Sequence, residues 1–168
     1  MESCPSTQRL LPPDAPEGAV AVADEQTEGR GRLGRRWEAP ADTSILCSVQ
    51  LRPAVDAALF PELTVVGAEA CAEAIHTVTG LEPALKHPND VLIGGRKAAG
   101  ILGEAGEGRV VLGTGINVNV PADELPVDVR IPATSLLAET GEPVDRTELL
   151  IELLAALERR YDAWLATK

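Results

Sequence analysis

Val91-Leu92-Ile93-Gly94-Gly95-Arg96-Lys97-Ala98-Ala99-Gly100-Ile101-Leu102-Gly103-Glu104 is followed, from Arg109, by Arg-Val-Val-Leu-Gly-Thr-Gly-Ile-Asn-Val-Asn-Val to Val120. Two short apolar stretches, Val91–Ile93 and Ala98–Glu104, flank Gly94-Gly95-Arg96. Glycine tolerates the positive φ of a tight hairpin turn, so this reads as an antiparallel pair. Arg109–Leu112 continues the sheet and Gly113–Val120 completes it. Working outward, Gly18–Asp24 and Thr43–Leu51 read as further strands, the second ending at Arg52-Pro53, and Pro83–Lys86 as a short one. Helical periodicity appears from Pro61 to Val78, where Leu63, Val66, Ala70 and Ala74 make an apolar stripe and Gly80 closes it. A short helix is expected over Pro132–Glu139. Asp145, with Glu148 three residues on, caps a last helix whose stripe is Leu149, Leu153, Leu157, Tyr161 and Leu165. Strands joined by short turns outnumber helices. The reading is α+β: a mixed, largely antiparallel sheet with helices packed on one face. Gly-Thr-Gly at 113–115 lacks the third glycine and following helix of a dinucleotide fold, and no Walker A motif occurs.

The chain has 168 residues, 45% hydrophobic and 24% charged, enough for one domain with a sizeable core. Aromatics are only 2%, so aliphatic residues must fill that core. A formal net charge of −11 argues against nucleic-acid affinity, which needs a broad basic surface. No apolar run is long enough for a transmembrane helix, and the N-terminus has no signal-peptide pattern. Cys4, Cys47 and Cys71 fit neither a zinc pattern nor a disulfide framework, and read as reduced, partly buried thiols. The expectation is a cytoplasmic protein without membrane or nucleic-acid partners.

Against that acidic background, residues 28–37, Glu-Gly-Arg-Gly-Arg-Leu-Gly-Arg-Arg-Trp, hold four arginines and three glycines. Cations so crowded repel unless an anion compensates them. Arginine's planar fork suits phosphate or carboxylate. Lysine is scarce: Lys86, Lys97 and Lys168 against twelve arginines. Two lysines eleven residues apart, Lys86 and Lys97, point to a need for a compact ammonium charge.

Three segments together resemble the catalytic domain of biotin protein ligases of the BirA type. They are Ala23–Trp37 with Pro40; Lys86-His87-Pro88-Asn89-Asp90-Val91 through Gly95-Arg96-Lys97-Ala98-Ala99-Gly100-Ile101-Leu102 to Glu104; and Gly113-Thr114-Gly115-Ile116-Asn117-Val118-Asn119. Ser6-Thr7 matches part of a fourth, the Ser-Thr-Asn motif. The resemblance runs from about Ser6 to Trp164. It implies a fold like that of class II aminoacyl-tRNA synthetases and biotin synthetases. It also implies a two-step reaction: biotin and Mg-ATP form biotinyl-5′-AMP, and the biotinyl group passes to a lysine of a biotin carboxyl carrier protein. In the family's pattern Lys97 and Arg30 are catalytic. Ser6, Thr7, Gln26, Gly29, Arg30, Arg32, Lys97 and Gly100 fall on the biotin side. Arg32, Arg35, Trp37, Lys86, Asn89 and Asn117 fall on the nucleotide side. The metal ligands are not assigned, and a homodimer is implied only by the family. One catalytic domain over 1–168 is expected, without an N-terminal DNA-binding domain or a C-terminal SH3-like domain, and therefore no repressor role.

Plainer readings stand beside these. The arginine cluster reads as a solvated loop, Lys97 as an ordinary hairpin lysine, and Trp37 as core. Gly100, Gly113 and Gly115 serve either sheet geometry or close ligand approach. Asn117 and Asn119 alternate, so one is expected to face ligand and the other solvent. His76 reads as structural, and Asp90 as either a metal-side carboxylate or a turn former, the turn being preferred. The chain departs from the pattern at His87, where tryptophan is usual, so a large apolar wall of the pocket is expected to change. It departs again at Gln8, in place of asparagine, and in Gln8–Ala15, where Pro12 and Pro13 oppose a helix. The alternatives are a lipoate-type ligase and a non-catalytic homologue that binds biotin or an adenylate.

Overall fold

The computed structural model describes residues 1–127 and 129–168. In chain order the strands are β1 (Ser3–Cys4), β2 (Val20–Ala23), β3 (Glu25–Gln26), β4 (Ser44–Leu51), β5 (Ala84–Lys86), β6 (Asp90–Ile93), β7 (Arg96–Gly106) and β8 (Arg109–Asn117). The helices are α1 (Glu62–Thr79), α2 (Leu136–Thr140) and α3 (Arg146–Leu165). Six strands form one sheet in the order β2-β4-β8-β7-β6-β5, antiparallel at every pairing. The two-residue β1 and β3 pair in parallel beside it. The α+β expectation therefore holds.

The Gly94-Gly95 hairpin joins β6 to β7, with φ of +55° and +79° at the two glycines. A second tight turn, Glu107-Gly108, joins β7 to β8, also with both φ positive. These are the torsions that match the twist of an antiparallel ribbon. Asp145 caps α3, its carboxylate accepting from the Thr147 and Glu148 amides at 2.7 and 3.2 Å. Helix α2 is shorter than expected and begins at Leu136. Ser135 caps it, its hydroxyl accepting from the Ala138 amide at 3.1 Å. Residues 132–134 are extended instead, because the Lys97 amide donates to the Pro132 carbonyl (2.7 Å) and Thr134 donates back to the Lys97 carbonyl (2.9 Å). Tertiary pairing there overrides local helical preference.

Helices α1 and α3 lie against one another and cover one face of the sheet. Their stripes of Leu63, Val66, Ala70, Ala74 and Leu149, Leu153, Leu157, Tyr161 are buried against Ile45, Val49, Ile101, Leu112 and Ile116. Each such aliphatic side chain contributes about 1.5–3 kcal/mol by leaving water. The opposite face is covered only in part: Leu11 of the N-terminal segment packs with Ala21 and Val111. The remainder of that face is open, and the site lies there. The three cysteines are free and buried. Burial pushes the Cys47 and Cys71 thiols up to about 12. Among the described residues no helix is long and apolar enough to cross a membrane.

Candidate active site

A cavity of about 350 Å³ opens on the uncovered face. Its floor is strand backbone. Gly100 of β7 and Gly115 of β8 stand opposite one another in register, with Gly113 two residues along β8. A methyl group at position 115 would stand 2.6 Å from Trp37 Cε2. At position 100 it would stand 3.1 Å from Trp37 Cζ3 and 3.2 Å from Lys97 Nζ. Only glycine lets the indole and the ammonium lie this close to the sheet. What lies close over these glycines is the protein's own side chains, Trp37 and Lys97 at Gly100, Trp37 at Gly115 and Gln8 at Gly113. Trp37 is neither plain core nor distant: its half-buried ring lies on the floor, and Lys97 Nζ sits 5.6 Å from the ring centroid. The indole N–H is buried and has no acceptor among the described residues.

Lys97 lies near the start of β7, one strand from Asp90, and its Nζ is 2.6 Å from Asp90 Oδ1. Asp90 is therefore not the expected turn former. It opens β6, is buried, and holds the ammonium at the cavity wall. The arginine segment folds back on itself. Trp37 donates to the Gly29 carbonyl (3.0 Å), Gly31 donates to the Arg35 carbonyl (2.8 Å), and Leu33-Gly34 reverse the chain with φ of 60° and 73°. Arg30 pairs with Glu104 of β7 at 2.8 Å, and Arg32 Nη1 donates to Asn89 Oδ1 at 3.0 Å. Arg35 bonds only within the loop, to the Arg32 carbonyl. Gly29 is buried under the loop, where a methyl group would meet the Trp37 carbonyl.

Part of the cavity lining is polar and uncharged. Ser6 and Thr7 are buried and border it with Gln26. The Thr7 amide and hydroxyl both donate to Gln26 Oε1, at 2.8 and 3.1 Å. Gln8 turns onto the sheet, its Nε2 donating to the Leu102 carbonyl at 3.1 Å, so the asparagine-to-glutamine departure is absorbed by bonding to strand backbone.

Of the residues singled out in the sequence, the cavity brings together Ser6, Thr7, Gln26, Arg30, Arg32, Arg35, Trp37, Asn89, Lys97, Gly100 and Asn117. Asn117 donates to the Thr134 carbonyl at 3.0 Å. Asn119 does not face solvent as its alternation implied. It clamps Val144 through two 2.9 Å bonds, one in each direction. Lys86 and His87 are exposed and outside the cavity lining. The expected change of a pocket wall at His87 is therefore not seen; the large apolar wall is Trp37. His76 is exposed at the end of α1, its Nδ1 2.9 Å from the Leu81 carbonyl.

Sequence reading missed Pro126 and the run 129–133, which contributes Val129, Arg130 and Ile131 to the cavity lining. Extended residues 132–134 stitch that segment to Lys97, and no local pattern announces a long-range bridge. Arg130 was legible only as a lone arginine in a proline- and valine-rich stretch. Among the described residues six cations border the cavity, Arg30, Arg32, Arg35, Arg36, Lys97 and Arg130, with Glu38 in the lining and Asp90 and Glu104 paired to Lys97 and Arg30. A concave wall of one sign focuses potential onto an anion even in an acidic protein. Among the described residues no group of three His, Cys, Asp or Glu is placed to hold a metal ion.

An antiparallel sheet with a glycine floor, a cationic wall and a neutral polar part defines a site for a ligand with an anionic and a hydrogen-bonding end. Residues 1–120 match the biotin/lipoate A/B protein ligase family, and the chain belongs to that family. It is 41% identical over 153 residues to the Bacillus spizizenii bifunctional ligase/repressor BirA, covering 88% of this chain and 47% of that protein. It is 38% identical over 165 residues to a biotin–[acetyl-CoA-carboxylase] ligase of Paracoccus denitrificans, covering 94% of this chain and 68% of that protein. The biotin protein ligase of Aquifex aeolicus in complex with biotin and ATP superposes with a TM-score of 0.88 at 33% identity, covering 99% of this chain and 70% of that one. The chain spans about half the length of the first of these relatives.

Proposed function

We propose that this chain is an ATP-dependent biotin–[carboxyl carrier protein] ligase. It forms biotinyl-5′-AMP from biotin and Mg-ATP, then passes the biotinyl group to a lysine of a carrier protein or carboxylase carrier domain. The observation that carries this reading is the cavity's polarity. Cationic side chains, Lys97 and those of the arginine loop, share the lining with the neutral Ser6, Thr7 and Gln26 over a floor of bare glycine strand. The Aquifex relative carrying biotin and ATP lends the substrates their identity.

In the first step a carboxylate attacks the α-phosphate, so two anions must meet. Lys97 supplies an ammonium between them, held by Asp90. Arg30 and Arg32 flank it. Arg35 and Arg130, which have no carboxylate partner among the described residues, are available to the phosphate tail. Mg²⁺ enters as part of the nucleotide substrate. The arginine loop and Trp37 exclude water from the mixed anhydride. In the second step the carrier lysine attacks the acyl carbon and AMP leaves.

The neutral polar part favours biotin over lipoate, because Gln26 offers its amide to a urea carbonyl. The retained cations oppose a purely binding role. The test is pyrophosphate release from ATP with biotin, with lipoate and with neither acid. Release with biotin alone is expected. Release with lipoate alone would move the assignment to the lipoate ligases, and no release in any of the three conditions would leave a binding protein.

A further inference from the structure

We infer that Ser48 is a positioning residue that, through Thr7, aims the Gln26 amide at the urea carbonyl of the substrate. The inference rests on the biotin-ligase reading and deepens it. Ser48 lies on β4, in register with Gly113 and fully buried, behind the wall that Thr7 presents to the cavity. Its Oγ is 2.8 Å from Thr7 Oγ1, which is 3.1 Å from Gln26 Oε1.

The proton directions in this chain follow from valence. The Thr7 amide donates to the Gln26 side chain at 2.8 Å, and an amide N–H only donates, so the Gln26 atom facing it is oxygen. That oxygen cannot donate either, so its bond with Thr7 Oγ1 consumes the one hydroxyl proton of Thr7. Ser48 must therefore be the donor to Thr7. The order is Ser48 to Thr7 to Gln26. Both acceptor positions of Oε1 are filled, and the two Nε2 protons have no protein acceptor among the hydrogen bonds of the described residues. The amide can then offer only donors to the cavity.

A donor pair suits a strongly accepting carbonyl such as that of a cyclic urea. It does not suit a hydrocarbon or dithiolane end, which would leave the buried N–H groups unpaired. Without Ser48, the Thr7 hydroxyl loses the donor that holds its proton toward Gln26, and the amide can turn. The residue does not border the cavity, so its effect on the substrate passes through Thr7.

The test uses biotin-dependent pyrophosphate release by the full chain and its variants. Ser48→Ala is expected to raise the KM for biotin about tenfold, the size of one missing buried hydrogen bond, with kcat and the KM for ATP changed less than about twofold. Ser48→Cys, of similar volume and weaker donor strength, should fall between Ser48→Ala and wild type, and serves if the alanine variant misfolds. Thr7→Ala should be impaired for biotin. The double variant Ser48→Ala/Thr7→Ala should be no worse than Thr7→Ala, since the chain of bonds is already broken. Additive effects in the double variant would overturn the relay while leaving the ligase reading intact. Equal rises in the biotin and ATP KM values would also overturn it, making Ser48 merely structural. A wild-type chain that releases no pyrophosphate with biotin would instead overturn the ligase reading and the urea-directed role with it.

Discussion

The two faces of the sheet are built from alternate residues of the same strands, yet they follow opposite rules. On β7 and β8 the helix-side residues are Ile101, Leu112 and Ile116, large and fully buried. Their immediate neighbours on the cavity side are Gly100, Gly113 and Gly115, which have no side chain at all. One face is filled to exclude water, and the other is stripped so that a tryptophan ring, an ammonium and a ligand can lie on the backbone. Because strand side chains alternate with period two, a single stretch of sequence specifies both faces. Stability and chemistry are thereby separated by one residue.

That separation is tested most severely at Leu112, whose side chain packs under α1 against Gly67. Leu112→Ala leaves a cavity in the helix-side core and should cost about 2–5 kcal/mol of stability, read as a fall in denaturant midpoint at unchanged slope. The KM values for biotin and ATP of the folded fraction should stay within about twofold of wild type. A large loss of substrate affinity would show that the two faces are mechanically coupled.

Lys97 tests the cavity face. Lys97→Ala should lower biotinyl-adenylate formation about 10²- to 10³-fold, as expected when one stabilising charge is removed from a reacting centre. The Lys97–Asp90 pair adds a complication, since the alanine variant leaves Asp90 buried and unpaired. Lys97→Ala should therefore also melt lower than wild type, and Asp90→Asn combined with it should recover the melting temperature but not the activity. Single-turnover adenylate yield and thermal unfolding separate the two effects. Near wild-type yield from Lys97→Ala would remove Lys97 from the chemistry.

Much of this contrast is legible in the sequence. Period-two patterning and the two glycine turns announce the antiparallel core, and α1 and α3 are bounded by their own capping residues. Eleven cavity residues can be named because they lie in compact motifs. What stays hidden is what depends on distant pairing. The two-residue strands β1 and β3 are too short to carry a period. The run 129–133 is placed by its bridge to Lys97, and Asp90 looks like a turn former until β6 and β7 are brought together. Lys86 and His87 are drawn into the site by the motif they share with Asn89, although the chain turns them outward.

Arg130 belongs to that hidden run and gives a smaller expected effect. It borders the cavity together with the arginine loop. Arg130→Ala should raise the KM for ATP about three- to tenfold, in the range of one partly solvated charged hydrogen bond, with the KM for biotin unchanged. Transfer from supplied biotinyl-5′-AMP to carrier bypasses the phosphate tail and should not change. Equal losses in adenylation and transfer would make Arg130 a support for its loop rather than a ligand for phosphate.

The smallest effect is expected on the outer side of the helices. Glu73 of α1 bridges to α3, accepting from Arg159 Nη2 at 2.8 Å and from Arg160 Nε at 2.7 Å. The Arg159 hydrogen bond foremost, and that of Arg160 with it, hold its carboxyl below the ordinary 4.5 against a partial cost of burial. A carboxyl lowered in the folded state adds stability that is present above its unfolded value and lost as pH falls through the folded one. The contribution of Glu73 is therefore intact at neutral pH and disappears below about pH 4.5. Arg159 is more than half exposed, so solvent screens the pair, and Glu73→Gln should cost only about 0.2–1 kcal/mol at pH 7. The difference between wild type and variant should shrink as pH falls below the ordinary carboxylate value and Glu73 takes up its proton. Adenylation kinetics should not move at any pH where both proteins remain folded. Urea unfolding at pH 7 and pH 3 measures the first part, and pyrophosphate release the second. A pH-independent difference would mean that Glu73 acts through packing of its methylenes between α1 and α3, and a change in catalysis would mean that the helix layer reaches through the sheet to the glycine floor.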